Sequence, residues 1–380
     1  MNLLLFSPTF APDRGGAESL AEDLGARLAA DGHHVSVVTQ SGADPDVLPE
    51  RAETWRGMWV WRLPVPPPHW PLLAAPTVLL ADLRLRRWYR ALLDREAITA
   101  VCLARVDESC RHLLGVMRGH GARSSVYLHG GELRDLARRW PRVRHVLRRA
   151  MRDAAAIVAV SEDLAREAVA FAPEQAGKVR VVPNGIDVAA VRAAPPVAWP
   201  RPYVLFAGRL EPVKNAAFLL DAFGRAARLV APLDLLLAGA GSEAAVLAGE
   251  ARVEGVADRV HFLGVRSRRE VWSLMRGAHC LVVPSRAEGH PLVVLEARAA
   301  GIPVLASAVK GLRDLVGPED GALFDLADPG RLAALLVRFT VGDPEVAAIR
   351  ARLAALDCRE FDLAARMPAH VDAIFGRSPV

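Results

Sequence analysis

The chain has 380 residues, is 52% hydrophobic and 24% charged, and carries a formal net charge of +5 with 4 cysteines. That length exceeds one typical core and suits two domains, and the composition excludes a disordered or fibrous chain. Cys102, Cys110, Cys280 and Cys358 show no Cys-x-x-Cys spacing and the histidines no paired-ligand spacing, so neither a disulfide framework nor a metal held by protein ligands is expected.

Apolar runs alternate with amphipathic stretches along the chain, the pattern that parallel α/β sheets require. The opening Met1-Asn2-Leu3-Leu4-Leu5-Phe6 has no basic flank and is too short for a signal peptide. In the first half, strands are expected at Leu3–Phe6, Val35–Thr39, Ala100–Leu103, Val126–His129 and Ile157–Val160. Leu20, Leu24 and Leu28, between Gly16 and Gly32, mark a helix with its stop. The longest apolar region, Trp70 to Leu83, is broken by Pro71 and Pro76 and is too short to span a bilayer, so a cytoplasmic chain, soluble or peripheral, is expected. In the second half, strands are expected at Val204–Ala207, Asp234–Ala238, Val260–Leu263, Cys280–Val283 and Val304–Ala306. Helices are expected at Ala216–Val230, Arg268–Gly277, Pro291–Ala300 and Arg331–Thr340. Two tandem Rossmann-like domains account for this order. The break is placed between Pro183 and the proline-rich stretch 193–202, giving an N-terminal domain over 1–183 and a C-terminal domain over 184–360.

Three stretches carry chemistry. Glu288-Gly289-His290-Pro291-Leu292-Val293-Val294-Leu295-Glu296 follows an apolar run and ends before Gly301. Pro291 suits the first helical position, and Glu288 lies just outside the helix while Glu296 sits inside it. Unpaired N–H groups at Leu292 and Val293 suit an anion and the flanking carboxylates suit hydroxyls; the stretch reads equally as a solvated helix start. Upstream, a strand runs into Gly208-Arg209-Leu210 and Lys214-Asn215. Arg209 and Lys214 at a strand's carboxyl end suit the two phosphates of a diphosphate. The third stretch is Val182-Pro183-Asn184-Gly185-Ile186-Asp187.

Together these stretches resemble the signature of retaining nucleotide-sugar glycosyltransferases of family 4, over almost the whole chain. Pro12-Asp13-Arg14-Gly15-Gly16-Ala17-Glu18 and Tyr127-Leu128-His129-Gly130-Gly131-Glu132 add further matches. The resemblance implies the GT-B fold, two α/β Rossmann-like domains facing across a cleft, with the terminal stretch 361–380 returning to the first domain. It implies a UDP- or GDP-linked sugar as donor, a hydroxyl acceptor and no cofactor. His129 would contact the transferred sugar, Glu288 the sugar hydroxyls and Glu296 the ribose diol. Arg209 and Lys214 would stabilise the departing diphosphate in a metal-independent front-face substitution. Gly15, Gly16, Asn184, Gly208, Gly289, His290 and Pro291 would complete the donor site. Gly239 and Gly241, in Ala238-Gly239-Ala240-Gly241-Ser242, read equally as a structural strand-to-helix turn.

His290-Pro291 and Val309-Lys310-Gly311-Leu312-Arg313-Asp314 depart from the family pattern, which leaves the sugar open. Arginine concentrates at 83–90 and at 134–152, where it interleaves with Trp140, Val143, Val146 and Leu147. That pattern fits contact with an anionic membrane surface, and equally a solvated basic face; no nucleic-acid module accompanies it. Besides a transferase, an epimerase of the same fold and a non-catalytic nucleotide-sugar binder are the alternatives. His129, Arg209, Lys214, Glu288 and Glu296 argue against the binder, and an acceptor dependence of nucleotide release separates the transferase from the epimerase.

Overall fold

The structure is a computed structural model describing residues 1–11, 15–41, 48–64, 75–230 and 232–376, with the backbone alone at 75–79. Pro12-Asp13-Arg14 of the glycine motif, and Trp70 with Pro71, lie outside the described residues. Two compact units result: residues 1–184 with 366–380, and residues 185–365.

Unit 1 is built on strands β1 (Asn2–Phe6), β2 (His34–Ser41), β3 (Glu53–Trp55), β4 (Met58–Pro64), β5 (Ala100–Leu103), β6 (Arg123–Leu128), β7 (Ala156–Ala159) and β8 (Val179–Val181). Among the described residues they form one sheet in the order β3-β4-β2-β1-β5-β6-β7-β8, parallel except where β3 meets β4. Side chains alternate across it, as a strand's two-residue period dictates. Leu4, Phe6, Val126 and Leu128 enter a core with helices Ala75–Arg95, Arg111–His120 and Pro141–Asp153. On the other face, helix Gly16–Ala30 brings Gly25 against Met58, Leu5 and Val35. Tyr127 there meets His370 of the final helix, Leu363–Phe375, through a 3.0 Å hydrogen bond between Tyr127 Oη and His370 Nδ1. From residue 366 onward that helix belongs to unit 1, where Phe375 stacks on His33 at 5.2 Å and Arg180 pairs with Asp372.

Unit 2 carries strands β9 (Tyr203–Ala207), β10 (Asp234–Ala238), β11 (Val260–Gly264), β12 (Leu281–Val283), β13 (Val304–Ser307) and β14 (Gly321–Phe324), parallel in the order β11-β10-β9-β12-β13-β14. Helices Ala216–Ala227 and Pro329–Thr340 cover one face, helices Arg268–Gly277 and Leu292–Ala300 the other. The latter ends on Gly301 in the left-handed conformation at φ 78°. Pro291 sits at its N-cap with ψ 120°, one place before the expected first helical position, because extended backbone there lets its carbonyl accept from Val294 N at 3.2 Å. The helix expected to reach Val230 stops at Ala227, where Val230 N turns back to the Ala226 carbonyl.

Candidate functional site

The site residues of unit 2 gather at the carboxyl ends of the neighbouring strands β9 and β12, where open parallel sheets hold ligands. After β9 the chain passes Gly208 to Asn215, which takes φ 56° and ψ 43° as the N-cap of helix Ala216–Ala227. Asparagine enters the left-handed region more readily than most residues. Here Asn215 Nδ2 donates to the Pro284 carbonyl (3.2 Å) and Oδ1 accepts from Arg286 (3.0 Å), clamping the β9 loop to the β12 loop.

That clamp sets Lys214 against Glu288. Lys214 Nζ lies 2.6 Å from Glu288 Oε1, which also accepts from Ser285 Oγ at 2.7 Å. The Lys214 and Glu288 side chains are 24% and 10% exposed, so the charges are largely sheltered and hydrogen-bonded. The sequence reading gave these two residues separate duties, diphosphate and sugar; the structure joins them in one ion pair. Arg209 is exposed, and its side chain makes no hydrogen bond to another described residue. Glu296, 8% exposed, takes Arg268 at 3.3 Å, and the Arg268 guanidinium lies 5.0 Å from the Trp272 ring centroid.

The glycines act on the chain itself. A Cβ on Gly239 would stand 1.8 Å from the Gly208 carbonyl oxygen, and one on Gly241 2.3 Å from that of Leu210, so both let the β10 turn pass against the Gly208–Leu210 loop. Gly311 has φ 83°, and a Cβ there would lie 2.5 Å from the Glu288 carbonyl oxygen. This glycine, inside the stretch that departs from the family pattern, therefore lets the chain pass against the backbone of Glu288 and Gly289. His290 and Val293 are half-buried beside it, while Pro291 and Leu292 are buried.

Unit 1 places His129 just past β6. Its Nε2 donates to the Ala104 carbonyl at 2.8 Å, which in the neutral ring leaves Nδ1 as an acceptor. The buried Glu132 carboxylate caps the turn, accepting from the backbone N–H of His129 and of Gly130, each at 3.1 Å. Gly15 is the N-cap of helix Gly16–Ala30, and the space a Cβ would fill there holds the Glu18 carboxylate, 2.3 Å away. Glu18 Oε1 accepts from Thr9 Oγ1 (2.5 Å) and Arg105 Nη1 (2.8 Å). Burial pushes the Glu18 carboxyl up, but Thr9, its own backbone N–H, Arg105 and His129 outweigh it, and its pKa lies below the ordinary 4.5. Asn184 is buried where unit 1 ends.

Thr9, Arg105, Arg268, Ser285 and Gly311 had no role in the sequence reading. Ser285 stood three residues before Glu288 at a strand's end and was findable there. Arg105 stands 87 residues from Glu18, too far for any local pattern to join them.

Known proteins now enter. Residues 14–190 match the family model described as Glycosyltransferase Family 4, and residues 190–350 that described as Glycosyl transferases group 1. The fold is GT-B, and each unit carries a glycosyltransferase family domain. A D-inositol 3-phosphate glycosyltransferase of Mycolicibacterium vanbaalenii is 33% identical over 214 residues, 50% of this chain and 46% of that protein. A glycogen synthase of Mycobacterium tuberculosis is 28% identical, over 93% of this chain and 89% of its own. The chain spans about half the length of the first curated relatives it matches, 46% and 45%. Among solved structures, sucrose-phosphate synthase from Thermosynechococcus elongatus superposes with a TM-score of 0.76 at 23% identity, covering 97% of both chains. HepE from Anabaena in complex with UDP-glucose gives 0.75 at 18% identity, covering 98% of both.

Proposed function

We propose that this protein is a retaining glycosyltransferase moving a hexosyl or N-acetylhexosaminyl group from a UDP- or GDP-linked sugar to a hydroxyl acceptor. The observation that carries the reading is the Lys214–Glu288–Ser285 cluster at the carboxyl ends of β9 and β12, beside the start of helix Leu292–Ala300. An ammonium beside that helix start suits a diphosphate, and a carboxylate already fixed by two donors can still accept from sugar hydroxyls. The solved relative that holds UDP-glucose has the same fold, which supports a nucleotide-sugar donor here.

Glu288 would orient the sugar through its hydroxyls and Glu296 the ribose diol, with Arg268 fixing the Glu296 carboxylate. As the glycosidic bond opens, charge grows on the leaving diphosphate, and Lys214 with Arg209 would stabilise it in place of a metal ion. His129 would accept from the sugar through Nδ1. The acceptor hydroxyl attacks the anomeric carbon from the face that the diphosphate leaves, and its proton passes to a departing phosphate oxygen.

The test is a panel of nucleotide sugars screened by thermal shift, followed by turnover of the stabilising donor with and without added hydroxyl acceptors. Nucleotide release only with acceptor present, and a product retaining the donor's anomeric configuration by NMR, supports the reading. Release without acceptor favours an epimerase, and inverted product removes the front-face mechanism.

A cytoplasmic chain that meets an anionic membrane surface through residues 134–152 is part of the same proposal. Trp140 there is 46% exposed, flanked by exposed Arg138 and Arg139. Among the described residues no helix is long and apolar enough to cross a membrane.

A further inference from the structure

Resting on that membrane reading of residues 134–152, a wider face emerges from the packing of unit 1. Leu85 and Tyr89 of helix Ala75–Arg95, Leu113 of helix Arg111–His120 and Leu147 of helix Pro141–Asp153 enter one core cluster on one face of the sheet. The three helices therefore share a layer, with Arg111–His120 touching both others. The Arg86 guanidinium stands 3.0 Å from where a Cβ of Gly115 would be, and Arg149 donates to the Leu114 carbonyl at 2.7 Å. Their outer sides consequently face the same solvent.

What those sides present is basic with apolar points. Helix Ala75–Arg95 exposes Leu80 (56%) and Leu83 (55%) beside Arg87 and Arg90, one and two turns further on. At the other border stands Trp140, with the Arg139 guanidinium 5.9 Å from its ring centroid. Three carboxylates on or beside the layer are already engaged: Asp82 by Arg86 (2.7 Å) and His112 (2.6 Å), Glu108 by Arg111 (3.0 Å), and Asp153 by Arg152 (3.1 Å); Asp94, near the end of helix Ala75–Arg95, is exposed and meets His120 at 3.5 Å. Arg87, Arg90 and Arg138 have no acidic partner among the described residues. Arg148 and Arg149, by contrast, are partly spent on the backbone of Phe171 and Leu114, so the outward charge of the 134–152 segment comes chiefly from its start.

We propose that this three-helix layer is one docking face for an anionic lipid bilayer, in which the leucines of helix Ala75–Arg95 and Trp140 are two separate footholds and the unpaired arginines face the headgroups. Apolar side chains rimmed by arginine are what interfacial binding uses, and each basic residue adds a screened attraction to an anionic surface.

Co-sedimentation with vesicles of equal parts phosphatidylcholine and phosphatidylglycerol tests it. The native protein should pellet at low salt, less at high salt, and not with phosphatidylcholine alone. Leu83→Ser with Arg87→Gln and Arg90→Gln should lower partitioning on the order of tenfold or more at unchanged melting temperature. Arg138→Gln, Arg139→Gln and Trp140→Ser together should do the same, with loss of the tryptophan fluorescence shift. If only the second variant loses binding, the single-segment reading survives and the layer is refuted. A native protein that stays in solution with anionic vesicles, binds neutral ones equally, or binds duplex DNA instead overturns both.

Discussion

Two glutamates are pinned alike in the two units. Glu18 at the carboxyl end of the unit 1 sheet takes Thr9 and Arg105, and Glu288 at that of unit 2 takes Ser285 and Lys214, each carboxylate receiving a hydroxyl and a cation. Glu18 is folded back beside Gly15, filling the start of its own helix, whereas Glu288 stands in a loop just before a helix whose start it does not fill. The same chemistry thus closes one helix terminus and frames another. The donor anion is accordingly expected in unit 2, and Glu18 is expected to act first on stability.

The largest effect expected is catalytic. Lys214→Ala should lower kcat by about 10²- to 10⁴-fold, on the scale of losing one charge donor to a developing anion, and Arg209→Ala similarly. Arg209 is exposed, so its variant should melt like the native protein. Near-native turnover in either would break the assignment of unit 2.

Next comes a pH effect centred on unit 1. Burial, with Arg366 and His129 nearby, pushes His370 down to about 4 from 6.5, so the folded state keeps it neutral while the unfolded chain protonates. Stability should therefore be full above pH 6.5 and fall as pH drops from there toward 4, by about 3 kcal/mol for this group. Chemical denaturation across that range checks it, and His370→Phe should reduce the slope, leaving the share of His112, which burial likewise lowers to about 4.

A nucleoside diphosphate should stabilise the protein by about 2.7 kcal/mol when present at a hundredfold excess over its Kd, with the nucleoside far weaker. Lys214→Ala should erase the difference between the two while Glu18→Gln leaves it intact. A difference erased by Glu18→Gln would move the anion site to unit 1.

Smallest is Glu18→Gln itself, expected to cost about 1–3 kcal/mol because it weakens two part-buried, charge-assisted hydrogen bonds to the carboxylate. As the folded pKa is depressed, the contribution of Glu18 is present above its ordinary 4.5 and is lost as pH falls through the lower folded value. Urea titrations at neutral and acid pH should show the two proteins converging at acid. Large loss of turnover with unchanged stability would make Glu18 a substrate contact and erase the contrast with Glu288.

This contrast also explains what was legible. Lys214, Glu288 and Glu296 lie in short windows around strand ends, where spacing alone suggests an anion and hydroxyl site. The pairing of Lys214 with Glu288 was hidden because the two stand 74 residues apart and meet only when β9 and β12 align. Arg105 and Glu18 were hidden for the same reason. Most strands announced themselves as buried leucine and valine runs, but β3, β4, β8 and β14 did not: Glu53–Trp55 and Met58–Pro64 carry tryptophan and charge, and β3, β8 and β14 are short strands at sheet edges. Gly311 lies in a stretch that departs from the family pattern, and only its left-handed backbone against Glu288 shows what it holds in place.

The return of the last helix to unit 1 has a consequence for biosynthesis. Tyr127, His33 and Arg180 emerge from the ribosome long before their partners His370, Phe375 and Asp372 exist. The half made first is therefore completed last, and must wait with one sheet face partly uncovered while the whole of unit 2 is synthesised and folds in the interval.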